Sequence, residues 1–220
     1  MLLLCPFFGQ QLAAQTVVWQ PNPVKQGQKT IISYQPKGGD LEFSDEPKAI
    51  VAVYSDFQWR STPVSLSKQN DSWTGSYQVP EQASFIALKF YQGDLESPEA
   101  IDIRNGNGYF TSILGKNGKP VPGAYLAEAS LRAGLTGNMA MNSFVKLSKD
   151  KRLVDSLLQK EERLNKNIPD KLIFNYLDLK QLTMPVAAYN AFADSVLRNE
   201  LKKKMSRRLP LPPYSVILRG

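Results

Sequence analysis

Histidine is absent from all 220 residues, and the single cysteine is Cys5. Cys5 lies within the first 15 residues, which read as a secretory leader, so residues 16–220 carry neither imidazole nor thiol. This excludes an imidazole general base, a thiolate nucleophile, Ser-His-Asp and Cys-His sets, a CxxC redox pair, and zinc held by His or Cys. With no cysteine after the leader, the fold must be held by its core and not by disulfides. Long hydrophobic runs are also missing: nothing after the leader approaches the roughly 20 apolar residues that span a bilayer. Nor is there a phosphate-binding glycine loop. Asn105-Gly-Asn-Gly108 is too short and lacks the following Lys-Ser/Thr, so it reads as a tight turn.

What remains is the composition of a folded protein, 42% hydrophobic and 21% charged, in a chain long enough for one large domain or two small ones. Met1 to Gln15 has an apolar run followed by small residues at Ala13 and Ala14, the pattern of a signal peptide without its positive start. Leu4, preceding Cys5, is not the small residue that a lipoprotein site takes. Export to the periplasm or cell envelope is therefore expected. The net charge of +7 is unevenly spread: residues 1–115 hold 8 basic against 11 acidic residues, and residues 116–220 hold 19 against 9. The front is acidic and the back basic.

The front has β texture. Lys29–Tyr34, Ala49–Tyr54, Ser72–Val79, Ser84–Tyr91, Ala100–Arg104 and Tyr109–Leu114 are short runs rich in β-branched and aromatic residues, separated by turn clusters. Six or seven such strands predict an antiparallel sandwich. After Pro122, placed to start a helix, the period becomes helical. Ala124–Ala133 is predicted as a helix stopped by Gly134. A second helix is expected from Asn142 or Ser143 to about Asn165, with Phe144, Leu147, Val154, Leu157, Leu158 and Leu164 on its apolar stripe. A third covers about Asp170–Gln181. A fourth runs from near Pro185 to about Arg207, with Val186, Tyr189, Phe192, Val196 and Leu201 inward. These helices are expected to pack as hairpins. Leu209-Pro-Leu-Pro-Pro-Tyr214 reads as a stiff spacer, and the apolar run from Val216 to Leu218, cut off by Arg219-Gly220, predicts that the natural chain continues.

Candidate sites are few. Trp19, Trp59 and Trp73, with Tyr34, Tyr54, Tyr77 and Tyr91, could form a face that stacks on sugars or peptides; the alternative is that they fill the core. Glu42, Asp45 and Glu46 could offer oxygen ligands to Ca²⁺, but their spacing fits no metal loop, and a solvated acidic turn is expected. A glycan hydrolase using carboxylates alone would need two of them across one cleft, about 5–9.5 Å apart; no pair is identifiable. Arg198, Lys202, Lys203, Lys204, Arg207 and Arg208 could hold phosphate or an anionic membrane. Their positions wrap the helix and carry no interleaved aromatics, which reads as a solvated face that also suits the helix dipole. Nucleic acid is not an expected partner.

Several stretches resemble a known family. Pro23-Val-Lys-Gln-Gly27 leading into Ile31-Ile-Ser-Tyr34, then Trp73-Thr-Gly75 with Val79-Pro80, and Phe85-Ile-Ala-Leu-Lys-Phe90 resemble an Ig-like domain of Bacteroidota envelope proteins. Gly108-Tyr109-Phe110 and Gly118-Lys-Pro-Val-Pro-Gly-Ala124 resemble its junction with helices. In that family the order is leader, Ig-like sandwich, helical segment, then a thioredoxin-like domain of the TlpA type. The resemblance covers about residues 16–130. It implies an α+β, multidomain chain: a signal peptide over 1–15, an N-terminal antiparallel Ig-like β-sandwich over 16–115, an α-helical hairpin region over 116–208, and a Pro-rich linker over 209–220. The Trp-Cys-x-x-Cys loop on which thioredoxin chemistry depends is missing, so no catalytic, cofactor or metal residue carries over. The expected function is a non-catalytic, exported scaffold or interaction module with a protein or peptide partner, linked in the parent protein to a thioredoxin-like domain. The alternatives are a glycan- or peptide-binding sandwich using Trp19, Trp59 or Trp73, and the carboxylate-based hydrolase.

Overall fold

The computed structural model describes residues 16–136, 144–147, 150–165 and 172–208. Residues 1–15, expected to be a leader, the Pro-rich end and the expected helix start at Asn142 or Ser143 lie outside these residues. Among the described residues nine strands precede four helices: β1 (Thr16–Gln20), β2 (Lys29–Gln35), β3 (Lys48–Ser55), β4 (Gln58–Val64), β5 (Ser67–Gln69), β6 (Ser72–Gln78), β7 (Ala83–Gly93), β8 (Pro98–Asp102), β9 (Tyr109–Ser112), α1 (Ala124–Ala133), α2 (Lys151–Leu164), α3 (Ile173–Thr183) and α4 (Val186–Arg208). The fold class is α+β. One antiparallel sheet has the order β1-β2-β6-β5; the other runs β4-β3-β7-β8, with β9 pairing β7 beside β8.

The two sheets face each other across one core, and the helices cover the far side of the second sheet. Strand alternation records this layering. Along β3, Ala49, Val51 and Val53 point into the space between the sheets with Ile32, Tyr34, Leu88 and Phe90, whereas Ile50, Ala52 and Tyr54 point toward the helices. On β7, Phe85 and Ala87 likewise meet Leu126, Leu157, Leu158 and Leu179. Both faces of β3 and β7 are covered, which is why these two strands read as largely apolar runs, with the buried Lys89 the exception on β7. β2 has one covered face only and alternates: Ile32 and Tyr34 are fully buried while Ile31 is exposed. Each fully buried Phe, Ile or Leu contributes about 1.5–3 kcal/mol, so the two clusters make sheets and helices a single mechanical unit. The change of texture near residue 115 marks a change of secondary structure, with one apolar cluster shared across it.

Several local expectations are corrected. β1, β4 and β5 have no clear sequence signal and lie at sheet edges. α2 begins at Lys151, with the Asp150 side chain accepting from the Arg152 amide; Phe144 is buried in a bend, and Leu147 is 53% exposed in coil. Neither is on the helix. Pro122 precedes the helix by two residues, and Gly123 is the N-cap of α1. On α4, Val186 is 76% exposed, and only Tyr189, Phe192, Ala193, Val196 and Glu200 are half-buried among the side chains described. Among the described elements α4 packs mainly on α3, too little cover to bury a full stripe. No helix among the described residues is long and apolar enough to cross a membrane.

Candidate functional site

An open cleft of about 480 Å³ lies where the β3–β4 hairpin meets α1 and α3. Tyr54, Phe57, Gln58 and Trp59 come from the hairpin, Leu135 and Thr136 from the end of α1, and Asn175 and Asp178 from α3. Each wall has an identifiable local origin. Ser55 pairs with Gln58, which leaves Asp56 and Phe57 as a two-residue turn with φ of 47° and 64°. Positive φ at both positions is the hairpin turn whose twist suits the strands. A bulky residue in this region is nevertheless a genuine outlier. The turn places Phe57 at the cleft and not in solvent.

Trp59 is held from two sides. Its ring lies 5.4 Å from Tyr54 and meets Phe85 edge-on at 6.1 Å. Its indole Nε1–H donates to Ser130 Oγ at 3.1 Å, and Ser130 in turn donates to the Ala127 carbonyl. Ser130 sits in the last turn of α1, which closes as a Schellman motif. The Gly134 amide donates to the Leu131 carbonyl and the Leu135 amide to the Ser130 carbonyl, with Gly134 left-handed at φ 75°. That closure sets Leu135 and Thr136 at the cleft rim. Beneath them Tyr54 is 1% exposed, and its hydroxyl accepts from Asn175 Nδ2 at 2.8 Å. Burial pushes the phenol up to about 12, against the opposing effect of the Asn175 bond, so it stays neutral across the physiological range. Asn175 and Asp178, three residues apart, share one face of α3. Asp178 is exposed and, among the described residues, is the only charged one lining the cleft.

Three other buried polar groups, Glu161, Asp102 and Lys180, are spent on architecture. Glu161 on α2 is fully buried. Its Oε1 accepts from the Gly123 amide at 2.6 Å and from Asn165; Oε2 accepts from the Tyr125 and Leu126 amides at 3.1 and 3.3 Å. It supplies the N-terminal cap of α1 that Gly123, lacking a side chain, cannot. Burial raises its pKa above the ordinary carboxylate value, and the donors only partly offset this. Gly123 takes φ 92°, and a Cβ there would stand 3.4 Å from the Tyr54 ring, so the capped turn and the cleft floor are in contact. Asp102, 1% exposed, accepts from the hydroxyls of Tyr34 at 2.5 Å and Tyr109 at 3.0 Å and from the Arg104 amide at 2.8 Å. Lys180 ties α3 to α2 through Asp155 and Glu162 at 3.3 and 3.1 Å.

The three tryptophans do not share a face. Trp73 is 8% exposed; it and the half-buried Trp19 face the space between the sheets, and Trp59 alone faces the helices and the cleft. Tyr34, Tyr54 and Tyr91 are buried, and Tyr77 is half-buried. Glu42, Asp45 and Glu46 sit in an exposed turn, and no group of three or more potential metal ligands exists among the described residues. Asn105–Gly108 forms the turn between β8 and β9. Arg198 pairs with Asp194 at 2.7 Å on the exposed face of α4; the side chains of Lys203, Lys204, Arg207 and Arg208 lie outside the described residues.

Sequence reasoning passes over Phe57, Asn175, Asp178 and Glu161. A signal exists for one of them: Glu161 falls seven residues after Val154, on the apolar stripe of α2, where a carboxylate must find buried donors. The other three carry no local signal. Set against models of known protein families, curated proteins and solved structures, the chain has no match.

Proposed function

We propose that this chain is a non-catalytic interaction module of the cell envelope, built as an Ig-like sandwich with a helical layer, and that the cleft between the β3–β4 hairpin and helices α1 and α3 is its recognition site. The observation that carries the reading is the preorganised aromatic wall. Trp59 is fixed by Ser130 and Tyr54 by Asn175, and Phe57 occupies a conformation that a bulky residue rarely takes. Strain that persists beside a concavity is a common mark of a binding site. Among the described residues the lining offers one carboxylate, Asp178, where glycoside hydrolysis takes two. In the parent protein the module would position a thioredoxin-like neighbour, a proposal resting on the resemblance at residues 16–130 and tested by the reading frame that follows.

The purified chain, immobilised and screened against peptide and glycan arrays beside a Phe57→Asn variant, tests the recognition site. Asn tolerates the left-handed turn and removes the ring. Ligands retained by the wild type and lost by the variant support the cleft. Equal retention by both proteins, or no ligand from either class, overturns it.

A further inference from the structure

We infer that the end of the sandwich opposite the Asp56–Phe57 turn is a second docking surface, and that its occupant is a segment of another protein carrying an apolar side chain beside Lys or Arg. The β3–β4 hairpin separates it from the cleft. The register runs from Ser55 beside Gln58 at the cleft to Ala49 beside Val64 at this end, about 20 Å along the strand. The two surfaces are therefore independent.

At this end a pocket of about 240 Å³ opens where β3 and β4 meet the link to β5. Pro47, Ala49, Pro63, Val64, Leu66 and Tyr91 form its apolar lining. Small-molecule sites begin at about 300 Å³, so this volume suits a single side chain of a partner. Beside it the β2–β3 loop is fixed by successive turns: the Gly39 amide donates to the Pro36 carbonyl, Glu42 to Gly39 and Ser44 to Leu41. Leu41 is fully buried in the core between the sheets and pins the loop. Held in this way, the loop displays Phe43, which is 92% exposed. Glu46, which also lines the pocket, follows three residues later, within about 11 Å of chain. A ring presented by an ordered loop costs little to immobilise on binding, and aromatic anchors carry much of the energy of protein interfaces.

Charge sets the chemistry of the occupant. Lys48 pairs with Tyr91 across β3 and β7, and its Nζ donates to the Gly93 carbonyl at 3.0 Å, so the β7–β8 loop lies against the start of β3. Strand pairing thus brings together two acidic loops that are distant in sequence. Asp40, Glu42, Asp45 and Glu46 come from one, Asp94 and Glu96 from the other, and all are exposed. Within residues 36–48 and 93–97 these six carboxylates face two cations, Lys37 and Lys48. Burial, with Asp94 acting through space, raises the Tyr91 phenol, which sets this charge beside the pocket wall. Among the described residues no three acids converge as metal ligands, so the carboxylates act as a field and not as a chelate. Such a field attracts a cationic partner and repels phosphates, whether of nucleic acid or of lipid. Lys and Arg bring apolar stems as well as charge, and either cation can lie over an exposed ring such as Phe43.

The test screens the intact chain on an array of random heptapeptides at about 50 mM salt, then follows the best-retained peptide by fluorescence anisotropy. Retained sequences are expected to place Lys or Arg beside Leu, Ile, Met or Phe. The charge reversal E42K/D45K/E46K should weaken the best peptide by about tenfold and Phe43→Ala by about threefold; all four positions are exposed, so the variants keep the fold. Raising the salt to about 0.5 M should also weaken it by about tenfold. E81K/D178K/D194K makes the same change in net charge at exposed positions away from this end and should cost less than about threefold. Phe57→Asn should bind as the wild type does, so the cleft can fail while this surface stands, and the reverse. Retention without a basic and apolar preference, unchanged binding by E42K/D45K/E46K, or equal loss in the two triple variants overturns the inference. So does a best peptide whose apolar residue can be replaced by Gly without loss, since the contact would then be charge alone. Self-association abolished by E42K/D45K/E46K, with no peptide retained, would make a second copy the occupant and overturn it equally.

Discussion

Replacing Glu161 should remove more stability than any exposed carboxylate of the helical layer. Its two oxygens receive the amides of Gly123, Tyr125 and Leu126 together with Asn165 Nδ2. Glu161→Ala deprives the three amides of this acceptor at the start of a helix whose N-cap has no side chain. A lost cap interaction costs about 1 kcal/mol, and a buried donor left unsatisfied costs about 1–3 kcal/mol. The total is about 3–5 kcal/mol, a large part of a domain's stability. Glu161→Gln keeps one acceptor oxygen and should lose about 1–2 kcal/mol. Urea unfolding reads both, as midpoint shifts at constant m, with the exposed Gln159→Ala on the same helix as control. A Glu161→Ala loss no larger than the control's would refute the capping role. The pH dependence tests the electrostatics separately. Burial raises the Glu161 pKa above its unfolded value, so the native state binds the extra proton. Its contribution is then fully present below the ordinary carboxylate range and is lost as pH rises through the raised value. The wild type should therefore be most favoured over Glu161→Gln at acid pH, with the gap shrinking toward neutrality. A gap that widens as pH rises would mean that the four donors, and not burial, govern the carboxyl.

Three further outcomes follow from the same contacts. Gly134→Ala should lower stability by about 1–2 kcal/mol, because φ is 75° and the new Cβ would sit 3.2 Å from Leu147; Gly134→Asn should cost less, and thermal unfolding distinguishes them. Asp102→Ala should cost about 3–5 kcal/mol and Tyr34→Phe about 1–2 kcal/mol in denaturant unfolding, since the first removes the acceptor of Tyr34, Tyr109 and the Arg104 amide and the second removes one donor. Ser130→Ala should cost about 1 kcal/mol and alter the near-ultraviolet circular dichroism of Trp59, its hydrogen-bonded partner; an unchanged aromatic spectrum would show that the indole is oriented by packing alone.

Legibility in the sequence followed the range of the forces involved. The α1 helix is readable to its last residue because Gly134 and the preceding Ala- and Leu-rich turns act within a few positions. β3 and β7 are readable because a strand covered on both faces is predominantly apolar. β4 is not. Gln58–Val64 is mostly polar and includes Pro63, a composition acceptable only at a sheet edge, where a missing N–H breaks no ladder; its strand character comes from pairing with β3. The apolar stripe on α2 projects backward through Phe144 because Phe144 is indeed buried, but by a bend and not by a helical turn. Val186 fits a helical stripe too, yet it is 76% exposed. Periodicity identifies residues that can be buried, and neighbours decide which of them are.

By itself the sequence determined the class of object: no thiol or imidazole in residues 16–220, β strands followed by helices, an acidic front and a basic back. These follow from composition and from periods of two and 3.6 residues, which are local properties. Only the tertiary structure decided that the helices cover the second sheet, that Trp59 and not Trp19 or Trp73 borders a cleft, and that Glu161 caps a helix 35 or more residues before it. Those outcomes depend on contacts between distant segments, selected by how the layers bury their apolar faces and satisfy the polar groups enclosed with them.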